Sequence, residues 1–169
     1  QPGAWDSTEG LLDDVLISQN TMHDVASPVT IWTKPGNPVG RVTITDLRAT
    51  EVYRSALSIE SWAETPITNV VVRAASIEFA GGGKASQAGQ VVRGPGVDAR
   101  PLPSWGIYAR NVQELTLQDV RVELSSPDER PVLVAEGVAH LTLDSFKFPQ
   151  VQEGVQALVT TNVGKLDRR

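Results

Sequence analysis

The 169-residue chain contains no cysteine and only two histidines, His23 and His140. A chain without cysteine forms no disulfide and no thiolate metal site, and it offers no cysteine nucleophile. Two histidines are too few for a multi-histidine metal centre. We predict no metal site and no cofactor. The sequence also lacks an apolar run of about 18 residues and an N-terminal signal peptide, so it predicts no membrane-spanning helix.

Charge and composition narrow the class of protein further. The net charge of −5 argues against nucleic acid and anionic membranes as partners. With 40% hydrophobic and 21% charged residues, the chain can bury a sizeable core, and its length indicates one domain over residues 1–169. Valine, isoleucine and threonine make up roughly a quarter of the residues. Together with the scattered glycines and prolines, this composition is typical of an all-β protein with short strands.

Five segments of the chain repeat one eight-residue pattern, with apolar residues at positions 1, 3, 6 and 8. Nineteen of the twenty pattern positions are apolar, although the overall composition is only 40% hydrophobic. The apolar-x-apolar halves predict strands with one face inward, and the two-residue gap between them predicts a corner. The segments are VLISQNTM, VTITDLRA, VVVRAASI, LTLQDVRV and LTLDSFKF.

The spacing of these segments predicts how the strands are stacked. Their first residues are 27, 28, 45 and 26 positions apart. The spacings of 26 to 28 residues each correspond to one turn of a solenoid, and the spacing of 45 corresponds to one turn plus an insertion at about residues 80–104. We therefore predict a parallel β-helix of about five rungs, each of three short strands, from about residue 11 to 166. A β-sandwich is the alternative, and it would show antiparallel pairing. A third inward pair is expected in each rung: Val29/Ile31, Leu57/Ile59, Ile107/Ala109, Val132/Val134 and Ala157/Val159.

Asn111, Gly137 and Asn162 recur at nearly constant spacing, and each precedes a valine. Asparagine and glycine tolerate a left-handed backbone, so these positions are predicted to form one corner in successive rungs. The repeat starts close to the N-terminus and stops as a sixth rung begins. Because neither end has an obvious cap, we expect the chain to be a piece of a longer solenoid.

Four local motifs resemble a known family. They are the triple glycine Gly81 to Gly83, Leu102-Pro103 followed by Gly106, Tyr108-Ala109-Arg110, and the turn Pro127-Asp128-Glu129-Arg130-Pro131. Over about residues 10–148 the chain resembles the C-terminal third of the polygalacturonase-like glycoside hydrolases of family 28, bacterial branch. The resemblance implies a right-handed parallel β-helix, inverting hydrolysis of galacturonosyl or rhamnosyl links in pectin, and an extracellular or periplasmic location.

The chain lacks the family's catalytic motifs Asn-Thr-Asp, Gly-His-Gly and Arg-Ile-Lys. Asp13-Asp14 matches the family's Asp-Asp, but Asp14 stands directly before the first inward valine, where later rungs carry mixed turn residues. We therefore predict no catalytic residue here and expect the catalytic acids upstream of this chain. The segment GGGKAS is not a phosphate-binding loop, because Glu78 replaces its first glycine.

Two groups of residues are candidates for binding substrate. Trp32 and Lys34 end a strand that resembles the strand nearest the family's cleft, where a tryptophan can stack on sugar and a lysine can pair with a carboxylate. Arg48, Arg121 and Lys147 share one outward position of successive rungs, where they could hold a polyuronate chain. The alternatives are a tryptophan that shields the rung edge and a solvated face balanced by nearby acids.

The leading hypothesis is therefore a C-terminal scaffold portion of a glycoside hydrolase that acts on pectin-type polysaccharide. Its expected partner is a polyuronate or rhamnogalacturonan chain. The alternatives are a non-catalytic, polysaccharide-binding β-helix module and a structural surface stalk.

Overall fold

The computed structural model describes residues 10–94 and 98–169, in which the chain forms nine strands and one short helix. That helix has four residues, and no described helix is long and apolar enough to cross a membrane. The elements in chain order are β1 (Val15–His23), β2 (Thr30–Thr33), β3 (Arg41–Val52), β4 (Leu57–Ser61), β5 (Ile67–Phe79), α1 (Ala85–Ala88), β6 (Ile107–Leu124), β7 (Leu133–Asp144), β8 (Leu158–Thr161) and β9 (Lys165–Arg168).

Every pair of neighbouring strands is parallel, and the predicted register is confirmed. Val15 pairs with Val42, Val42 with Val70, Val70 with Leu115, and Leu115 with Leu141. The molecule is thus a parallel β-solenoid of about five turns, and the antiparallel pairing expected of a sandwich is not found among the described residues.

A regular rung combines a short strand with a long strand that bends at a corner. Strands β6 and β7 each contain both parts, and β9 is a four-residue segment in the position of a long strand. The long strands stack as β1-β3-β5-β6-β7-β9, and the short strands stack as β2-β4-β6-β7-β8. Strands β6 and β7 belong to both stacks because they continue through a corner without a break. We call the second stack the short-strand sheet.

The corners depend on residues with left-handed backbones. The predicted positions Asn111, Gly137 and Asn162 have φ angles of 50°, 63° and 53°. A second corner, at the two-residue gap of the repeat, is also left-handed in every rung, which the sequence did not reveal because none of its residues is glycine or asparagine. The residues at that corner are Gln19, Asp46, Ala74, Asp119 and Ser145.

The interior matches the predicted inward positions except in the last two short strands and at Phe148. Leu133 and Ala135 face the core, whereas Val134 packs on the outside of the short-strand sheet. Because Leu158 pairs with Leu133, the inward residue of the last rung is Leu158, and Val159 lies on the outside. The predicted inward residues Val134 and Val159 are therefore wrong, each by one residue, whereas Val132 belongs to the core and Ala157 packs against it.

The cause of this error is that both faces of the short-strand sheet are buried. Residues of the insertion between β5 and β6 cover its outer face, so apolar residues occur at odd and even positions alike. The outer cluster consists of Ala56, Leu102, Tyr108 and Val134, with Val92 and Val159 packed against it. Alternation of apolar and polar residues then no longer identifies the inward side.

A buried ion pair fastens the start of the insertion. Asp128 accepts hydrogen bonds from the Arg130 side chain at 2.9 and 2.7 Å and from the backbone N–H of Gly83 at 2.8 Å. Burial alone would raise the pKa of Asp128, but the hydrogen bonds and charge of Arg130 outweigh it and hold the pKa below its usual value. A methyl group at position 83 would overlap the Arg130 guanidinium, so this glycine is required by close contact. The triple glycine and the Pro-Asp-x-Arg-Pro turn are therefore one structural unit.

Phe148 is a further departure from the predicted interior. It is 37% exposed and lies 5.5 Å from Phe146, measured between ring centroids. The backbone around it pairs with the preceding rung through a single bridge between Arg121 and Lys147. The last repeat unit is thus less regular than the four before it.

Candidate functional site

A groove of about 460 Å³ crosses the outer side of the short-strand sheet, at the edge of the covering insertion. We call it the outer groove. Its lining combines an aromatic ring, one charge of each sign and several small polar groups. The lining includes Trp62, Arg110, Asn111, Glu136, Thr161 and Asn162.

The register of the short-strand sheet brings these residues together. Trp32 pairs with Glu60, Glu60 with Arg110, Arg110 with Glu136, and Glu136 with Thr161. These five residues form an outward column that runs along the solenoid axis, with neighbours separated by about 4.8 Å. The groove therefore crosses several rungs and has the direction of a linear ligand lying along the solenoid.

Arg110 is held in the groove by two neighbours, Trp62 and Glu136, and Tyr108 holds Glu136 in turn. Its guanidinium carbon lies 4.4 Å from the centroid of the Trp62 ring, and its Nη1 donates a hydrogen bond of 3.0 Å to Glu136. The Tyr108 hydroxyl donates to the same carboxylate oxygen at 3.0 Å. Burial and, after it, the charge of Glu136 raise the pKa of Tyr108 well above its usual value, so the phenol stays protonated. Arg110 is thus a fixed cation on an aromatic ring.

A second ion pair lies beside the groove, under the insertion. Glu60 has no exposed side-chain surface, and its Oε2 accepts a 2.5 Å hydrogen bond from Arg100 and a 2.9 Å bond from Trp62 Nε1. The other carboxylate oxygen of Glu60 is buried and has no hydrogen-bond partner in the described part of the chain. Arg100 belongs to the insertion, so this pair joins the insertion to the short-strand sheet.

Trp32 and Lys34 do not lie in this groove. Trp32 stands in the same outward column, but it is only 3% exposed, so its ring offers no face on which a sugar could stack. Lys34 follows β2 and is half-buried. Trp62, one rung later, is the aromatic residue that reaches the groove.

The cations Arg48, Arg121 and Lys147 are aligned as predicted. Arg48 and Arg121 both flank Ser76, and Arg121 is bridged to Lys147. All three are exposed, and Arg121 forms an ion pair of 2.6 Å with Glu123. Arg48 and Lys147 have no ionic partner among the residues described. We call this column the cation stripe. Its alignment is established, and its role in substrate binding stays a prediction.

Asp13 and Asp14 are engaged by the next rung. Asp13 accepts the backbone N–H of Arg41 at 2.6 Å, and Asp14 forms an ion pair of 2.6 Å with the Arg41 side chain. Hydrogen bonds from the backbone N–H groups of Arg41 and Asp14 lower the pKa of Asp13. A general acid needs a raised pKa, so Asp13 does not suit that role, and the contacts of both aspartates are those of a turn.

The two histidines make contacts that the sequence did not predict. His23 Nδ1 lies 3.0 Å from the hydroxyl of Thr50, and His140 Nε2 lies 2.8 Å from the carboxylate of Asp167, in each case one rung away. Asp167 also accepts a hydrogen bond from Lys165, and these two contacts lower the pKa of Asp167. Within residues 10–94 and 98–169 no group of three potential metal ligands occurs.

Sequence reasoning missed Glu60, Trp62 and Glu136, and it named Arg110 only as part of a family motif and not as a site residue. A signal was available, because Glu60, Arg110 and Glu136 follow the apolar residues Ile59, Ala109 and Ala135, which share one inward position in successive rungs. Their place on one column could thus have been read from the repeat. Their burial could not, because it depends on an insertion outside the repeat.

Comparison of the chain with protein-family models, curated proteins and solved structures finds no match. The fold and the site therefore define its class: a β-solenoid in which an insertion covers one sheet and leaves a charged, aromatic groove open beside it.

Proposed function

We propose that this chain is a scaffold portion of a glycoside hydrolase acting on pectin-type polysaccharide, and that its outer groove binds the acidic polysaccharide. The resemblance of four sequence motifs to the polygalacturonase-like family supports the hydrolase class. The observation that carries the binding role is Arg110, which lies 4.4 Å above Trp62 at the edge of the insertion. An extracellular or periplasmic location belongs to the same proposal.

The chemistry of the groove suits a uronic acid. Glu136 binds Nη1 of Arg110 and Nε is buried, so a ligand carboxylate would bind the remaining nitrogen, Nη2. Thr161 and Asn162 on the last rung supply polar groups for sugar hydroxyls. Because the column runs along the solenoid axis, a bound polysaccharide would lie parallel to that axis.

The carboxylates of this face support a binding role rather than catalysis. An inverting glycosidase needs a carboxylic acid that protonates the leaving group and a carboxylate that activates water. Glu60 is fully buried against Arg100, and Glu136 accepts hydrogen bonds from Arg110 and Tyr108. Both carboxylates therefore serve to hold arginines. We expect the catalytic acids of the whole enzyme to lie outside this chain.

Calorimetric titration of the purified chain with de-esterified oligogalacturonates tests the binding role. We expect binding of the acidic oligosaccharide, none of the fully methyl-esterified one, and loss of binding in Arg110→Gln. Arg73→Gln is the matched control, because Arg73 is an exposed strand arginine with no described ionic partner. Binding that survives Arg110→Gln would contradict the assignment of the groove.

Release of reducing sugar from polygalacturonate and rhamnogalacturonan tests the scaffold role. We expect no release above background from this chain. Turnover would mean that the catalytic acids lie in the chain, and Asp13 and Asp14 would be the first residues to replace.

A non-catalytic polysaccharide-binding module is the second candidate function. The pairing of Glu136 in the groove and of Glu60 beside it with arginines favours it equally. Catalytic motifs in the coding sequence upstream would support the hydrolase, and a domain of another class would support the module. A structural stalk would need no partly open groove with a fixed cation, so the geometry favours it least.

A further inference from the structure

We infer that the insertion positions Trp62, through Arg100 and Gly94, and thereby sets the affinity of the outer groove. Arg100 and Gly94 are thus positioning residues that act through another side chain and do not themselves line the groove. The effect on affinity rests on the proposed function, whereas the positioning of Trp62 can be tested without any ligand.

The first link runs through Glu60. Trp62 Nε1 donates to Glu60 Oε2 at 2.9 Å, and Arg100 Nη2 donates to the same oxygen at 2.5 Å. Glu60 is completely buried, so its charge has no water to stabilise it and depends on Arg100. Loss of Arg100 would force Glu60 to seek solvent or another donor, and the indole N–H would lose its fixed acceptor.

The second link is a close packing contact. Gly94 of the insertion lies against the indole ring of Trp62, and a methyl group at position 94 would overlap ring atoms around Nε1. Only glycine allows this approach, so the insertion touches the same edge of the ring that Glu60 binds. Two independent contacts of the insertion thus converge on one edge of the indole.

The indole in turn supports the groove. The Arg110 guanidinium lies over the Trp62 ring at 4.4 Å, so the orientation of the ring decides where the cation of the groove lies. A ring that rotates in response to the insertion would move this cation away from Glu136 and from a bound carboxylate. Docking of the insertion and binding of an acidic sugar are therefore expected to favour each other.

Near-ultraviolet circular dichroism of Arg100→Gln tests the positioning. We expect a changed tryptophan signal in Arg100→Gln, and an unchanged signal in Arg93→Gln, an exposed arginine of the same insertion with no described partner. In a Trp62→Phe background, Arg100→Gln should cause no further change. A wild-type signal in Arg100→Gln, or a change that persists in the Trp62→Phe background, would overturn the inference.

Two further variants guard against a simple folding defect. Arg100→Lys keeps a cation but loses the planar guanidinium, and we expect a signal between those of wild type and Arg100→Gln. Gly94→Ala removes no charge, and we expect it to change the Trp62 signal through steric contact alone. An unaltered signal in Gly94→Ala would mean that the contact of Gly94 with the indole does not position Trp62.

Titration with de-esterified oligogalacturonate tests the coupling to affinity. Loss of a hydrogen bond to a charged group predicts binding about tenfold weaker in Arg100→Gln and unchanged in Arg93→Gln. Wild-type affinity in Arg100→Gln, with an altered Trp62 signal, would overturn the coupling while leaving the positioning intact. Absence of binding in the wild-type chain would reject the proposed function, and the spectra would still decide whether the insertion positions Trp62.

Discussion

The short-strand sheet and the cation stripe both carry charged side chains in columns along the solenoid, but they differ in solvent exposure. The column of Glu60, Arg110 and Glu136 is partly or wholly buried, and its charges are paired with one another or with Arg100. Arg48 stands exposed on the stripe without an ionic partner in the described residues. The difference arises from the insertion, which covers one face and not the other.

This difference in solvent exposure determines which charged side chains can contribute to stability and to ligand binding. Charges that are removed from water interact strongly and must be paired, whereas exposed charges are screened and contribute little. The covered face is therefore sensitive to single substitutions, and the stripe is tolerant of them. Four predictions can break or sharpen this contrast.

The largest effect is expected from the ion pair under the insertion. Arg100→Ala leaves Glu60 buried without its cation, and we expect the free energy of unfolding to fall by about 3 kcal/mol. Arg48→Ala on the stripe should leave it unchanged within error. Urea denaturation followed by circular dichroism measures both. Equal losses of unfolding free energy in the two variants would contradict the expected difference between the covered sheet and the cation stripe.

The next effect concerns ligand binding. Arg110→Gln should weaken binding of oligogalacturonate by about 10- to 100-fold, since it removes the fixed cation of the groove. The combined stripe variant Arg121→Gln/Lys147→Gln should weaken it less than twofold at physiological salt. Titration calorimetry at two salt concentrations checks this. A larger loss in the stripe variant would move the binding site to the stripe, as one sequence-based prediction had it.

A smaller effect is expected from the pH dependence of the buried ion pair Asp128–Arg130, which fastens the start of the insertion. The hydrogen bonds and charge of Arg130 hold the folded-state pKa of Asp128 below its usual value, so this pairing stabilises the fold at pH values above the pKa of an unpaired aspartate. This contribution is lost as the pH falls through the folded-state pKa. Asp128→Asn should therefore be less stable than wild type at neutral pH, and the difference should shrink below about pH 4. A constant difference across acid titrations followed by circular dichroism would contradict this account.

The smallest effect is expected at a corner between rung strands. Ala74 has a φ of 50°, which strains an alanine but not a glycine. Ala74→Gly should raise the free energy of unfolding by about 0.5 kcal/mol, after the extra freedom of glycine in the unfolded chain is subtracted. Its buried neighbour Ala75 is the control, because Ala75→Gly should lower stability. Urea denaturation distinguishes the two, and a loss of stability in both variants would argue against corner strain.

Much of the fold could be predicted because the repeat constrains it. One register places Val15, Val42, Val70, Leu115 and Leu141 on one inward column, and the structure pairs each with the next. Stacked parallel strands favour the same residue type at the same position of each rung, so the same pattern recurs in every rung and can be recognised in the sequence. The prediction failed at Val134 and Val159, where both sides of the strand are apolar.

The candidate site was less predictable, for a related reason. Arg48, Arg121 and Lys147 were found from the repeat, and so was their alignment. The sequence left open whether Trp32 stacks on sugar or shields the rung edge. The structure buries Trp32, while Trp62 follows the end of β4 and forms part of the groove. No local pattern distinguishes these two tryptophans, since their exposure depends on the path of the chain over the sheet.

The sequence by itself determined the rung, its corners and the columns in which outward side chains stand, because these follow from short-range alternation repeated at a constant period. Only the tertiary structure decided which column is buried, which charges meet and where a groove remains. Those properties depend on where the insertion packs, and its contacts join Arg100 to Glu60 and Gly83 to Asp128 across 40 and 45 residues. Contacts at such separations are set by the folded path of the chain and leave no periodic trace in its sequence.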